Sequence, residues 1–351
     1  MKAKNCLFFA ILFSFTSIFF IENGSAELNL IDAEYNVFLP HTLQNYFFPS
    51  LCYQKPYETG LLPTGEFTQY HYEFVTSGNW IPIPQVCYPQ QEIVKIQISQ
   101  EPNSYFIDPT YGNRILYYEN LMGQTITATY KIKSALPVNY KIDYKSLGEY
   151  ETSSLLYQLY TRSETWIESD DPITIQAAES IVGGEENPYL AAEAIYNWIR
   201  ANIENKGITW TGDPTEYRDA YGALATYQRG YGSCQNQALV FVAMCRALGI
   251  PARVVHGINS IKLNEERNLE DWSHSWAEFF LPEYGWITAD PTGNVFAEID
   301  NLRIILSYAN NLIVTPPCDD STWYCDPTGV ILSLSYPLPY HNLSFIVSKI
   351  E

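Results

Sequence analysis

The hydrophobic period changes along the chain. From Glu27 to about Tyr150, short segments such as "EIVKIQIS" and "TITATYKIK" alternate apolar and polar residues and are broken by Pro, Asn and Gly. A period of two in stretches rich in Ile, Thr and Tyr predicts antiparallel strands, so residues 27–150 read as a β-sandwich domain, with "DPTYGNRILYYEN" as a turn feeding a strand. Between Glu151 and Ser169 the polar runs "YETSS" and "YTRSETW" read as a linker holding one helical turn. The period then lengthens in "PITIQAAESIVG" and "NPYLAAEAIYNWIRANIEN", where Leu190, Ala194, Ile195, Trp198 and Ile199 share one helical face and Asn187-Pro188 is a start signal. A loop from Lys206 to Gly232 leads into a third helix, from Cys234 to about Leu248, stopped by Gly249 and Pro251. "ARVVHGI", "SHSWAEFFL" and "GWITAD" read as strands and complete a second domain, residues 151–300, leaving 301–351 as a C-terminal extension.

The first 26 residues read differently. Lys2 and Lys4 form a basic start, Leu7 to Ile21 is apolar, and Gly24-Ser25-Ala26 offers small residues for cleavage, which is the pattern of a secretory signal peptide over residues 1–26. An uncleaved anchor is the competing reading, but the apolar run falls short of the ~20 residues a spanning helix needs. No second candidate span follows. The chain is therefore expected to be secreted or extracytoplasmic, with no membrane span once the signal is removed. Acidic residues outnumber basic ones, 39 to 20, for a formal charge of -19. That balance argues against a nucleic-acid partner, whose phosphates are held by Lys and Arg.

Export also bears on the cysteines. Cys6 leaves with the signal, while Cys52 with Cys87 and Cys318 with Cys325 are pairs that could oxidise outside the cell. Cys234 and Cys245 are eleven positions apart on one predicted helix, about 16 Å along its axis, too far for a disulfide that needs Cα atoms within about 7 Å. Cys245 lies inside the apolar run "ALVFVAMCRALG" and reads as a core thiol. Cys234 stands at the helix start in "GYGSC", where unpaired backbone N–H groups and the helix dipole favour a thiolate. Pairing of Cys234 with a cysteine from another region is the alternative.

A thiol nucleophile needs a base and a group to orient that base. Five histidines follow the signal: His41, His71, His256, His274 and His341. In "HSWAEFFLPEYGWITAD", two strands meet at a Pro-Glu-Gly turn, and Pro282 is equidistant from His274 and Asp290, which sets carboxylate beside imidazole to within a residue or two of register. Asp271 is the competing carboxylate. Asp-Pro-Thr is chiefly a turn signal, since it also occurs at Asp108, Asp213 and Asp326. His256 has no such partner in sequence and reads as structural.

The ordered motifs "GYGSC", "RALGIPARVVHG", "HSWAEFF" and "GWITADPT" closely resemble the transglutaminase-like superfamily over about residues 191–294. The resemblance implies an α+β, papain-like core with the nucleophile helix packed on an antiparallel sheet, Cys234 as nucleophile, His274 as base and Asp290 as its orienting partner. Trp276, on the His274 face of its strand, is a candidate for walling the cleft, and Tyr231 and Gln235, beside the nucleophile, are candidate substrate contacts. "CQNQ" departs from family members that carry an acidic residue two positions after the nucleophile. The implied chemistry needs no cofactor or metal: the thiolate attacks a peptide or carboxamide carbonyl of a protein or peptide substrate, a cell-envelope peptide among the candidates, and the thioester passes to water or to an amine. Hydrolysis is the expectation, protein-glutamine transfer the runner-up, and a non-catalytic binding protein on the same fold the third reading. Asn342 in Asn-Leu-Ser is a glycosylation acceptor only where the host has that machinery.

Overall fold

The computed structural model describes residues 68–76, 80–85, 91–108, 110–118, 126–134, 138–139, 142–208, 220–258, 267–268, 273–299, 303–308 and 344–350. The signal segment, Cys52, Cys87, Cys318, Cys325, His41, His341, Asp271 and Asn342 fall outside these residues. Seven strands come first: β1 (Thr68–Thr76), β2 (Trp80–Ile83), β3 (Gln91–Ile98), β4 (Ser104–Ile107), β5 (Arg114–Tyr117), β6 (Ile126–Ser134) and β7 (Val138–Asn139). Helices α1 (Leu155–Thr161), α2 (Pro172–Val182) and α3 (Pro188–Asn202) follow, then the short strand β8 (Glu204–Asn205). Helix α4 (Ala223–Arg229), strand β9 (Tyr231–Gly232) and helix α5 (Cys234–Ala247) lead to β10 (Ala252–Ile258), β11 (Arg267–Asn268), β12 (Ser273–Leu281) and β13 (Gly285–Asp290). The described chain ends with β14 (Val295–Phe296), β15 (Glu298–Ile299), β16 (Ile304–Tyr308) and β17 (Ser344–Ile350).

The second domain is an antiparallel sheet, ordered β14-β13-β12-β10-β16, packed against helices. Its centre is α5, in which every residue from Gln235 to Arg246 is buried. Such all-round burial explains why "ALVFVAMCRA" carries apolar residues on every face: one side meets the sheet and the others meet the remaining helices. The shared core includes Ile195 and Ile199 of α3, Ala177 and Ala178 of α2, and Phe279 and Ile287 of the sheet. Start signals act as local chemistry requires: Asp171 accepts the Ile173 N–H ahead of α2, and Asn187 accepts those of Tyr189 and Leu190 ahead of α3.

Three expectations are corrected. Residues 151–169 are not a linker: α1 buries Leu156, Leu159 and Tyr160, Trp166 and Ile167 join or border the core, and Glu164 accepts from Arg246 of α5 at 2.8 Å. The segment's polar residues, Glu151, Thr152, Ser153 and Gln158 among them, do face solvent, while the apolar Leu156 and Leu159 turn into the core. The loop from Lys206 to Gly232 contains α4, whose entry is closed by the Glu168 carboxylate accepting the Leu224 N–H at 3.1 Å. The chain's C-terminal part is not an appendage either. β16 is the sheet strand beside β10, with Gln91 and Asn113 of the N-terminal region bonded to Ile305 and Tyr308. β17 pairs with β1 in a five-stranded sheet ordered β11-β17-β1-β6-β3. The N-terminal region, expected as a sandwich, thus contributes strands to that sheet and to a three-stranded one, β2-β5-β4. Pairings across more than 200 positions leave no trace in local periodicity, which is why the extension looked separate.

Candidate active site

The hairpin β12–β13 runs in register Ala277↔Ala289 to Leu281↔Gly285, so its centre is Glu283 rather than Pro282. Glu283 and Gly285 take positive φ, 70° and 79°, in the turn. Continuing the register puts Trp276 opposite Asp290 and His274 one diagonal step along the same face. The imidazole reaches across that diagonal: His274 Nε2 lies 2.7 Å from Asp290 Oδ2. The second ring nitrogen is then the one available to Cys234, which stands at the start of α5 and favours the protonated imidazole. The structure thus brings Cys234, His274 and Asp290 together, with Cys234 partly exposed and free of any disulfide.

Burial alone would lower the His274 pKa, but hydrogen bonds to Asp290 and Cys234 and their charges outweigh it and push it up to about 9. Burial likewise opposes ionisation of Asp290. The bond and charge of His274, the Arg303 guanidinium and the Gly293 N–H overcome it and hold the carboxyl below its ordinary value. The Gly293 N–H donates to Oδ1 at 2.8 Å, and Arg303 Nη1 donates to Oδ2 at 2.8 Å.

The nucleophile's approach is fixed by side chains of its own helix. Asn236 Oδ1 accepts both the Ser233 N–H and its hydroxyl at 2.9 Å, while Asn236 Nδ2 donates to the Tyr221 carbonyl at 2.6 Å. A Cβ at Gly232 would crowd the Asn236 side chain, so the glycine of "GYGSC" makes room for this clasp. One turn on, Gln237 accepts from Thr292 Oγ1 at 2.9 Å and donates to the Ile203 carbonyl at 3.2 Å, tying α5 to the turn that carries Asp290.

The three candidate substrate contacts fare differently. Trp276 is 2% exposed and packs with Val255, Ile305 and Tyr308, its ring stacked 6.0 Å from His274. It supports the imidazole from behind instead of lining a cleft, because the alternation that gives it the His274 face points that face into packed sheet. Gln235 is buried against the Tyr221 hydroxyl, since the second position of the helix turns inward. Tyr231 stays partly exposed, with Lys206 and Arg229 over its ring at 5.1 and 5.3 Å. His256 is buried, its Nδ1 2.9 Å from Ser275 Oγ. Sequence reasoning missed Arg303, Asn236, Gln237 and Thr292. Asn236 was open to discovery from its place three residues after Ser233, the spacing of a capping box.

Gly293 gives a test of this packing. A Cβ there would overlap Asp290 Oδ2 and press on Arg303 Nη2. Gly293→Ala is expected to lower the reactivity of Cys234 by about 10–100-fold through misplacement of Asp290. The added Cβ displaces a buried carboxylate, so the urea midpoint should fall as well, and the loss of reactivity is read where the variant is still fully folded. Alkylation rates and urea melts on the same samples check this, and a variant as reactive as the parent would refute it.

A cysteine at a helix start, beside a histidine that an ionised aspartate orients, on an antiparallel sheet packed against helices, defines a class: the thiol-dependent acyltransferases and hydrolases. Residues 175–291 match the family model of the transglutaminase-like superfamily and form a domain of that superfamily. An uncharacterized protein of Haemophilus influenzae is 32% identical over 151 residues, 38% of this chain and 39% of the relative. A protein-glutamine gamma-glutamyltransferase of Pseudomonas aeruginosa is 39% identical over 71 residues, 19% of this chain and 11% of the relative. The matches span less than half the length of the curated relatives. Among solved structures, a Cytophaga hutchinsonii protein described provisionally as a cysteine protease has a TM-score of 0.55 at 17% identity, covering 82% of this chain and 92% of that one. At that identity the likeness speaks to fold.

Proposed function

We propose that this protein is an extracytoplasmic thiol hydrolase that cleaves peptide, isopeptide or side-chain amide bonds through a thioester on Cys234. The observation that carries the reading is the 2.7 Å contact of His274 with the buried Asp290, beside a partly exposed Cys234 whose thiol favours the protonated imidazole. His274 takes the thiol proton and, as the imidazolium, later gives it to the departing amine or ammonia. Asp290 fixes which ring nitrogen faces the thiol and stabilises the charged ring. The first intrahelical bond at this end of α5 is Gln237 N–H to Ser233 carbonyl, so the N–H groups of Cys234 and Gln235 have no partner within the helix and are the donors this reading gives to the oxyanion. Water then attacks the thioester, releasing the acid and regenerating the thiol.

A second reading is transfer to an amine, and the named Pseudomonas aeruginosa relative is what favours it. The two differ only in the acceptor for the same thioester. Mass spectrometry of peptides and of an added primary amine separates them: cleavage or deamidation marks hydrolysis, and amine incorporation marks transfer.

The chemistry common to both is tested by iodoacetamide labelling of the unreduced protein from pH 4 to 9, mapped by peptide. Cys234 is expected to label far faster than the buried Cys245, and His274→Ala is expected to slow it about 100-fold near neutral pH. Disulfide-bonded Cys234, or labelling like an ordinary thiol, would instead support a binding protein on this fold.

A further inference from the structure

Beneath the candidate triad lies a fourth charged group. Arg303 immediately precedes β16, and its side chain, 7% exposed, meets an Asp290 side chain that is 1% exposed. Its Nη1 donates to Oδ2, the same oxygen that faces His274 Nε2. Its guanidinium carbon stands 5.1 Å from the centre of the Trp276 ring, which in turn stacks against His274. One cation therefore touches both the carboxylate and the aromatic ring that position the imidazole. We propose that Arg303 is a positioning residue of the triad, fixing the orientation and the charge of the Asp290 carboxylate so that His274 is held ready for Cys234.

This rests on reading Cys234, His274 and Asp290 as a working triad. The physical argument is that a carboxylate buried this deeply is unstable as an anion unless paired and hydrogen-bonded. Among the described residues, these groups face Asp290. His274 comes from β12, with Cys234 of α5 behind it, the Gly293 N–H comes from the following turn, and Tyr196 of α3 feels the carboxylate charge. Arg200 stands 5.6 Å from the Tyr196 ring, and Glu298 also acts on that phenol. Only Arg303 among them is a permanent cation in hydrogen-bond contact with the carboxylate. With its charge removed, Asp290 should take up a proton at higher pH. A protonated Asp290 no longer supports the imidazolium, so the thiolate form of Cys234 is lost with it.

The test is the pH profile of Cys234 alkylation from pH 3 to 10 in the parent protein and in Arg303→Lys, Arg303→Gln and Arg303→Met. The acid limb is expected to move up by about 1–3 pH units in the Gln and Met variants, the effect of an adjacent arginine on an aspartate. Lys, which keeps the charge, is expected to restore the parent limb. Gln keeps donors and much of the volume, so it reads the charge even where Met fails to fold. Variants whose limb coincides with the parent's, and whose rates differ by a factor independent of pH, would reduce Arg303 to a packing residue. A parent protein with no fast-labelling Cys234 would refute the triad reading itself, a distinct outcome seen before any variant is made.

Discussion

Cys234→Ala is expected to reduce amide or peptide turnover by about four orders of magnitude or more, leaving only what oxyanion contacts and substrate binding supply. The reason lies in where α5 begins. Cys234 is its first residue, partly exposed and placed to act on His274. Cys245 belongs to the same helix but is fully buried, and burial pushes its thiol pKa well up. Cys245→Ala is therefore expected to leave the chemistry intact and to cost about 1–2 kcal/mol of stability for the lost sulfur contacts. The comparison uses ammonia release and peptide cleavage for turnover and urea unfolding for stability. Residual turnover above a tenth of the parent's in Cys234→Ala would remove the thioester from the mechanism.

The second large effect is on stability. Arg253 of β10 is wholly buried and donates from Nε and Nη2 to Glu278 Oε2, at 2.8 and 2.6 Å, across the β10–β12 ladder. Its guanidinium lies between the rings of Trp286 and Tyr308, 4.0 and 3.8 Å from their centres. Glu278→Gln would take the carboxylate partner from a permanent cation buried beside Trp286, Tyr308 and Tyr160, and is expected to cost about 3–5 kcal/mol. Arg253→Met with Glu278→Leu removes both charges and is expected to recover most of that loss. Urea unfolding of the parent, Glu278→Gln and the double variant checks the pattern. A Glu278→Gln cost below about 1 kcal/mol would mean that water or the aromatic rings solvate the cation unaided.

Much of the site was legible in the chain because its chemistry is local. Cys234 is marked by glycines on one side and a helical apolar run on the other, and His274 and Asp290 are joined by a hairpin whose register two strands and a turn nearly determine. The three strands "ARVVHGI", "SHSWAEFFL" and "GWITAD" stand where alternation and apolar content placed them. The hairpin centre was misplaced by one residue, since Glu283 adopts positive φ within the turn. That slip moved the expected partner by two positions while preserving its face, which is why the pairing of His274 with Asp290 survived it.

What depended on distant parts of the chain was hidden. The role of Trp276 as backing for His274 depends on β16 closing the sheet behind it, and Arg303 meets Asp290 only through that same closure. The turn after helix α1 is held by Arg246 and Glu164, 82 positions apart, and β17 finds β1 across most of the chain. Alternation and helical spacing report which face of an element is apolar, a property of neighbouring residues. Which buried charge meets which carboxylate, and which strand closes a sheet, are set by where chain segments meet in space, and for this protein only the tertiary structure decided them.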